Sequence, residues 1–221
     1  TGLVINNAGS WGNLGELKNS GLEVTVSART IDSENFKWDS DLVFSTYNTK
    51  VEGLGGASVG NALFKAEEGQ EWERFYLASE SGEKYFGQAQ PKGELSLINT
   101  LGFRGLDIML DINSMYGHKG YLVPSGFSDL RGNSENVSSA SFVRLRTLAV
   151  SYDLKRSLFK NFNLVKGLRI GVTAENLFVL TSYSGNDPEV FSRNGSLAGL
   201  GVDYGAYPKP TTITGNLRIS F

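Results

Sequence analysis

Apolar and polar residues alternate along much of this chain, and this period of two limits its possible folds more than any other feature. The alternation is clear in residues 22–29, 106–113 and 168–175, where Leu, Val, Ile and Ala alternate with mostly polar residues. Such alternation is typical of β-strands with one apolar face and one polar face. It predicts about seven strands, the last of which ends at Phe221. We therefore expect an all-β, antiparallel fold.

The connections between the predicted strands alternate between short and long. Short turns lie at residues 32–35 and 104–105, whereas residues 50–90, 117–139 and 181–210 form long connections. Transmembrane β-barrels have short turns on the periplasmic side and long loops on the outer side. A soluble sandwich or jelly roll, which is the alternative, has no reason to place every long loop at one end. The pattern therefore favours an antiparallel transmembrane β-barrel.

In such a barrel the apolar face of each strand contacts lipid and the polar face lines the interior. The phase of the alternation changes near Arg146 and Thr147, which predicts a β-bulge. The lipid-facing positions that share one phase are Leu22, Val24, Leu106, Ile108, Leu110, Ile170, Val172, Leu217 and Ile219.

The composition excludes several kinds of functional site. The 221 residues include no cysteine and one histidine, His118, which excludes thiolate sites and zinc sites with two or more histidines. The net charge of −2 gives no electrostatic reason to expect a nucleic-acid partner. No nucleophile–base arrangement and no phosphate-binding loop is visible. We therefore expect a protein that is not an enzyme and that uses no metal and no cofactor.

Several segments resemble the signature sequences of one family. Residues 175–190 read ENLFVLTSYSGNDPEV, residues 201–208 read GVDYGAYP, and residues 141–148 read SFVRLRTL. These segments, with residues 19–23 and 36–38, resemble motifs of the SusC/RagA family of TonB-linked outer-membrane transporters. The chain departs modestly from the family pattern in having Ser at position 20 and Glu at position 175, where that pattern has Lys and Gln.

The resemblance implies a large barrel of about 22 strands whose lumen is closed by a plug. Seven strands cannot close such a barrel, so residues 1–221 would be the C-terminal portion of a TonB-dependent transporter barrel, without the plug domain. The family also implies a location in the outer membrane of a Gram-negative bacterium.

The same resemblance implies import of oligosaccharides or peptides, with four kinds of partner. These are a SusD-like lipoprotein that caps the barrel, the TonB complex acting through the plug, the barrel-assembly machinery and the lipid bilayer. Two alternatives stay open: a SusC-like scaffold subunit of an outer-membrane assembly, and a small autonomous outer-membrane barrel.

Aromatic residues in the longest connection are candidates for contact with substrate. Trp72, Tyr76 and Tyr85 lie there, and flat rings of this kind stack on sugars while tyrosine hydroxyls add hydrogen bonds. Their alternative role is to pack the loop or to meet the lipoprotein.

Further candidates lie in the family-like segment and at the last strand. Tyr183, Asp187 and Glu189 are candidate substrate contacts, and the two acids could instead fix the loop through bonds to the backbone. Ile219 and Phe221 resemble the terminal signal that the barrel-assembly machinery reads.

Overall fold

The computed structural model describes residues 2–7, 10–57, 59–60, 63–79, 82–124, 133–155, 158, 164–189 and 201–221. Val190, which ends the family-like segment named above, lies outside these residues. In chain order the strands are β1 (Gly2–Asn7), β2 (Ser10–Asp32), β3 (Phe36–Gly53), β4 (Arg74–Ser79), β5 (Gly82–Gln88), β6 (Gly93–Phe103), β7 (Leu106–Tyr116), β8 (Lys119–Leu122), β9 (Val137–Ser139), β10 (Phe142–Leu154), β11 (Gly167–Thr181), β12 (Val202–Asp203) and β13 (Thr212–Ser220).

Eight of these strands form one antiparallel sheet, which we call the wall. Its strand order is β1-β2-β3-β6-β7-β10-β11-β13, so each strand pairs with the next wall strand along the chain. Arg104 and Gly105, with φ of 49° and 89°, form the tight turn between β6 and β7. Two consecutive residues with positive φ are typical of the hairpin turns that match the twist of a sheet.

Cross-strand pairing places most of the apolar residues of the wall on a single face. Leu101 pairs with Ile108, and Ile170 pairs with Leu217, so these apolar side chains lie beside one another. Leu217 is 62% exposed, as expected for a side chain that meets lipid rather than a protein core. The face includes the nine positions predicted from the sequence, namely Leu22, Val24, Leu106, Ile108, Leu110, Ile170, Val172, Leu217 and Ile219.

The height of the wall fits a bilayer. Strand β7 has 11 residues. At a rise of about 3.4 Å per residue and a tilt of about 40°, such a strand spans roughly 26 Å along the membrane normal, close to the apolar band of outer-membrane barrels. The described residues contain no helix whose length and hydropathy would let it cross a membrane.

The predicted bulge is confirmed. The pairing of β10 shifts between Leu145 and Thr147 against both of its neighbours, β7 and β11, and Arg146 has no partner in either register. Across the shift on β11, Asn176 has φ of 54°, the left-handed conformation that commonly accompanies a local irregularity in a strand.

The prediction of about seven strands is corrected to eight strands in the wall. Strand β1 was missed because its sequence, GLVINN, does not alternate. The three segments interpreted as long loops also contain five short strands, β4, β5, β8, β9 and β12. These have two to seven residues each, too few for a period of two to be recognised from the sequence.

The three long connections meet at one end of the wall in a structure that we call the outer layer. Its core draws Phe75 and Leu77 from the first connection, Tyr121 from the second and Val202 from the third. Each of these side chains is at most 1% exposed. Gly201, with φ of 75°, lets the chain reach this core, since a Cβ at that position would lie 2.7 Å from the Cβ of Ala89.

Candidate functional site

Arg144 is the centre of a buried charged cluster where the wall meets the outer layer. It lies near the start of β10, between Val143 and Leu145 of the apolar face, so its side chain points towards the polar side of the wall. The residue is only 3% exposed. A guanidinium is buried to this extent only when carboxylates and hydrogen bonds compensate its charge.

Two acids and an amide provide that compensation. Arg144 Nη2 donates to Asp187 Oδ1 at 2.6 Å, and its Nε lies 2.7 Å from Glu189 Oε2. Its Nη1 donates to Asn176 Oδ1 on the neighbouring strand. Lys209 Nζ lies 2.9 Å from the same Glu189 oxygen. We call these five residues the Arg144 clamp.

The clamp also binds backbone at both ends of the third connection. Asp187 accepts hydrogen bonds from the backbone N–H of Glu189 at 3.0 Å and from that of Lys209 at 3.1 Å. Asn176 Nδ2 donates to the carbonyl of Lys209. Both side-chain oxygens of Asp187 are thus hydrogen-bonded within the protein, and Oε2 of Glu189 is ion-paired there, an arrangement that favours loop fixation over direct contact with substrate.

Tyr183 belongs to a second buried pair in the same connection. Its hydroxyl donates to Asp203 Oδ2 at 3.0 Å, and Asp203 Oδ1 accepts from the backbone N–H of Gly205 and Ala206. Burial, together with the negative charge of Asp203, raises the pKa of the Tyr183 hydroxyl. Gly185 is required here because a Cβ would collide with the Tyr183 ring. In this structure Tyr183 therefore packs the loop.

Tyr76 and Tyr85 form a patch on the β4–β5 hairpin. Their ring centroids are 6.3 Å apart, and the Arg74 guanidinium lies 4.1 Å from the Tyr85 ring centre and 5.2 Å from that of Tyr76. The Tyr76 hydroxyl donates to Glu67, and this hydrogen bond lowers the pKa of that carboxyl. Tyr85 is 42% exposed, so it is the more accessible of the two rings.

Trp72 lies in a separate part of the first connection. It packs against the buried pair Val51 and Leu54. With Phe64 and Glu73, it also lines a small cavity of about 70 Å³. Burial raises the pKa of Glu73 to about 7, against a smaller opposing effect of its hydrogen bond with Trp72.

The two candidates at the last strand lie on and after β13. Ile219 pairs with Leu168 on the apolar face, and Phe221 follows the strand with 69% of its surface exposed. Their role in barrel assembly stays a prediction. Within the described part of the chain, no group of three or more acidic or histidine side chains is arranged to hold a metal ion.

The sequence marks Asp187 and Glu189 as candidates but does not reveal the partner that holds them. Arg144 is 43 residues away from Asp187 in the chain, and no periodicity links the two. Arg144 and Asp187 do, however, both lie in family-like segments, residues 141–148 and 175–190. That shared feature was the only indication in the sequence that the two residues could be linked. Arg74, Glu67 and Asp203 were also missed; of these, only Asp203 lies in a family-like segment, residues 201–208.

Comparisons with known proteins identify relatives that align with almost the whole chain. A TonB-dependent receptor of Formosa agariphila is 23% identical over 95% of this chain, which corresponds to 29% of that receptor. The TonB-dependent receptor SusC of Bacteroides thetaiotaomicron is 23% identical over 95% of this chain and 27% of its own length. No protein-family model matches the chain.

Solved structures agree on the fold. The structure of the RagAB peptide transporter matches with a TM-score of 0.78 at 18% identity, over 96% of this chain and 30% of that chain. The RagAB peptide importer in its 'open-open' state matches with the same score over 100% of this chain. The sheet of this chain thus corresponds to part of the RagA barrel.

These findings confirm the resemblance that the motifs indicated and the all-β, antiparallel fold. They also confirm the predicted outer-membrane location, and the relatives are receptors and transporters rather than enzymes. The chain spans less than a third of the length of the relatives named here.

Proposed function

We propose that this chain, whose sequence and fold are those of SusC/RagA-family TonB-dependent receptors, forms part of an outer-membrane transporter that imports oligosaccharides or peptides. In the proposal, residues 1–221 are the C-terminal portion of the barrel, and the plug domain is contributed by another part of the full-length protein. A SusD-like lipoprotein delivers the substrate, and the TonB complex acts on the plug. The RagAB structures, whose RagA barrel this wall matches, support a lipoprotein partner of this kind.

One observation carries the proposal. The three long connections build a single packed layer over one end of a wall with one apolar face and one polar face. Independent mobile loops would not need a common core, whereas a rigid entrance to a transport path does. The Arg144 clamp then fixes the third connection to the inner side of the wall.

The two edges of the wall indicate whether the chain could form a small barrel of its own. In the described residues, β1 and β13 stand at opposite ends of the strand order and do not pair with each other. An open sheet edge in hydrocarbon leaves unpaired backbone groups, each of which costs several kcal/mol. The topology therefore indicates that the wall is part of a larger barrel rather than an eight-stranded barrel of its own.

Uptake by living cells tests the proposal. Cells that lack the full-length protein should lose uptake of labelled oligosaccharide or peptide, and wild-type cells should lose it to the same extent when TonB is deleted. A scaffold subunit would instead leave uptake intact while reducing the amount of an associated membrane complex. Retained uptake in both deletions would overturn the transport proposal.

The accessible tyrosine patch allows a sharper version of this test. Tyr85→Ala should raise the substrate concentration needed for half-maximal uptake, since the exposed ring is the candidate contact. Tyr152→Ala, at the other end of the wall, is the matched control and should leave that concentration unchanged. Equal effects of the two variants would remove Tyr85 from the set of substrate contacts.

A further inference from the structure

A small cavity lies beside Trp72 in the first connection of the outer layer. Its volume is about 70 Å³, and its lining includes Val59, Phe64, Ala66, Trp72 and Glu73. One water needs roughly 10–15 Å³ of such space, so the cavity has room for a group of several non-hydrogen atoms. Gly60 and Lys65 complete the lining and are exposed, so the cavity can be reached from solvent.

Backbone hydrogen bonds hold the segments that form this cavity. The N–H of Ala66 donates to the Val59 carbonyl at 2.9 Å, which joins the two ends of one lining segment. In the other lining segment, the N–H of Trp72 donates to the Thr49 carbonyl of β3 at 2.8 Å. The lining is therefore fixed by the fold itself, and the cavity is preformed.

The backbone of Glu73 is strained at the cavity. Its φ of 60° lies in the left-handed region, which is uncommon for a residue with a side chain. Hydrogen bonds on both sides enforce this conformation, because the preceding N–H of Trp72 is bonded to Thr49 and the Glu73 carbonyl accepts from Ala89 at 3.0 Å. Strain of this kind persists only where the surrounding structure enforces it, and it is concentrated at functional sites. Here it holds the Glu73 side chain in the cavity lining.

The carboxyl of Glu73 has no counter-ion among the described residues. Lys65 Nζ lies 3.3 Å from Glu67, and Arg74 Nη1 lies 3.1 Å from the same carboxylate, so both neighbouring cations are engaged elsewhere. The hydrogen bond of Glu73 with Trp72 does not offset the burial that raises its pKa to about 7. Binding of a cation in the cavity would supply the missing charge and favour the carboxylate.

The aromatic part of the lining indicates which kind of cation fits. Phe64 and Trp72 are both present, and the Phe64 ring is fixed by contact with Phe75, whose ring centroid is 4.6 Å away. Aromatic faces attract ammonium groups, whereas Ca²⁺ and Mg²⁺ require several oxygen ligands. Across the ranges that the structure describes, no three acidic or histidine side chains are grouped to hold a metal ion. One carboxylate beside two aromatic residues therefore matches an ammonium.

We propose that this cavity binds a primary ammonium group. The Glu73 carboxylate accepts hydrogen bonds from the ammonium, while Phe64 and Trp72 contact the carbon that carries it. A peptide N-terminus, a lysine side chain and an amino sugar share this chemistry. The proposal does not depend on import, because binding is measured on the purified full-length protein.

A charged ligand and its neutral counterpart test the proposal. The full-length protein in nanodiscs is titrated at pH 8 with n-butylammonium and with n-butanol, followed by saturation-transfer NMR and corrected with empty nanodiscs. The ammonium should bind at least tenfold more tightly than the alcohol, since a charge-assisted hydrogen bond is lost in the latter. Equal affinity for the two ligands would overturn the proposal.

Two variants of acidic residues locate the charge. Glu73→Gln keeps the shape of the side chain and should weaken binding of n-butylammonium roughly tenfold. This variant should fold, because it removes a charge that burial disfavours. Glu83→Gln, at an exposed site, is the matched control and should bind as the wild type does. Unchanged binding in Glu73→Gln would show that the ammonium lies elsewhere.

A further variant fills the cavity and leaves the carboxyl in place. Ala66→Leu adds three carbons to the lining and should abolish binding of n-butylammonium. Ala78→Leu, at an exposed position of β4, is the control and should leave binding unchanged. Wild-type binding by Ala66→Leu would place the ligand outside the cavity and overturn the proposal.

Competition distinguishes the possible sources of the ammonium group. Alanine amide represents a peptide N-terminus, Nα-acetyl-lysine amide represents a lysine side chain, and glucosamine represents an amino sugar. At least one of them should displace n-butylammonium, and its N-acetylated counterpart, which lacks the charge, should not. Failure of all three to displace the probe would overturn the assignment to a biological ammonium.

Discussion

The wall and the outer layer are both built of antiparallel β-structure, yet they are held together in opposite ways. The wall keeps large apolar side chains on its surface, such as Ile213 at 70% exposure, whereas Phe75 and Tyr121 in the outer layer are fully buried. The wall therefore depends on lipid and on its ladders of hydrogen bonds. The outer layer depends on a hydrophobic core of the kind found in soluble proteins. The same chain thus places apolar side chains on the surface where it meets lipid, and buries them in a core in the outer layer.

The Arg144 clamp joins the two regions, and its removal should have the largest effect. Arg144→Met leaves the carboxylates of Asp187 and Glu189 buried without their main cation, which typically costs about 3–5 kcal/mol. Hydrogen exchange in outer-membrane vesicles should show the third connection opening while the wall stays protected. Arg146→Met is the control, because its side chain is 52% exposed and lies 3.7 Å from Asp111. Equal exchange in the two variants would contradict the role given to the clamp.

Truncation in the core of the outer layer should be nearly as costly and confined to that layer. Phe75→Ala removes a fully buried ring from contact with Phe64 and Tyr121, and such truncations cost about 3 kcal/mol or more. All three connections should become protease-sensitive together, because they share the core. Phe103→Ala, at the opposite end of the wall, should leave the layer intact. Loss of only the first connection would show that the core is not shared.

A charge on the apolar face should destabilise the wall rather than the outer layer. Ile108→Arg places a cation at mid-depth in the bilayer, at a cost of about 2–4 kcal/mol. Urea unfolding in liposomes measures the loss. Met109→Arg, the next residue on the polar face, should unfold at nearly the wild-type urea concentration. If both variants lost the same stability, the assignment of faces would be wrong.

The smallest effect should be a pH dependence found only in the outer layer. The pKa of Glu73, about 7 in the folded state, lies above its ordinary value of 4.5, so folding favours the protonated carboxyl. Relative to the Glu73→Gln variant, the stability of the layer should therefore fall as the pH rises from about 4.5 to 7 and stay low above that. The variant is the reference because burial also lowers the pKa of His118 in the second connection to about 4, which gives an opposite trend that both proteins share. Proteolysis at pH 5 and pH 8 measures the difference, and the same comparison with Glu83→Gln, at an exposed site, should show none.

The sequence was sufficient for most of the wall because lipid and lumen require strict alternation there. Even the bulge at Arg146 was visible as a change of phase. The outer layer was not predictable in the same way, because its strands are short and its contacts join distant segments. Val202 pairs with Tyr121, 81 positions earlier, and nothing local marks either residue for that role.

The candidate site shows the same division. The sequence identified Asp187 and Glu189 by chemical type and by family resemblance, and it left two roles open for them. Only the three-dimensional structure shows Arg144 and Lys209 beside them, which favours fixation of the loop. Tyr183 was a candidate substrate contact, but its hydroxyl is bonded to Asp203 within a buried pair.

The common core of the outer layer has a consequence for how this surface can evolve. Loops that fold independently can change their sequences one at a time as ligands change. Here Leu77, Tyr121 and Val202 fill one volume, so a larger side chain at one position requires a smaller one at another. Substitutions at these three positions should therefore co-vary among descendants of this sequence. New binding preferences would arise by coordinated exchange of all three connections, or at exposed positions such as Tyr85.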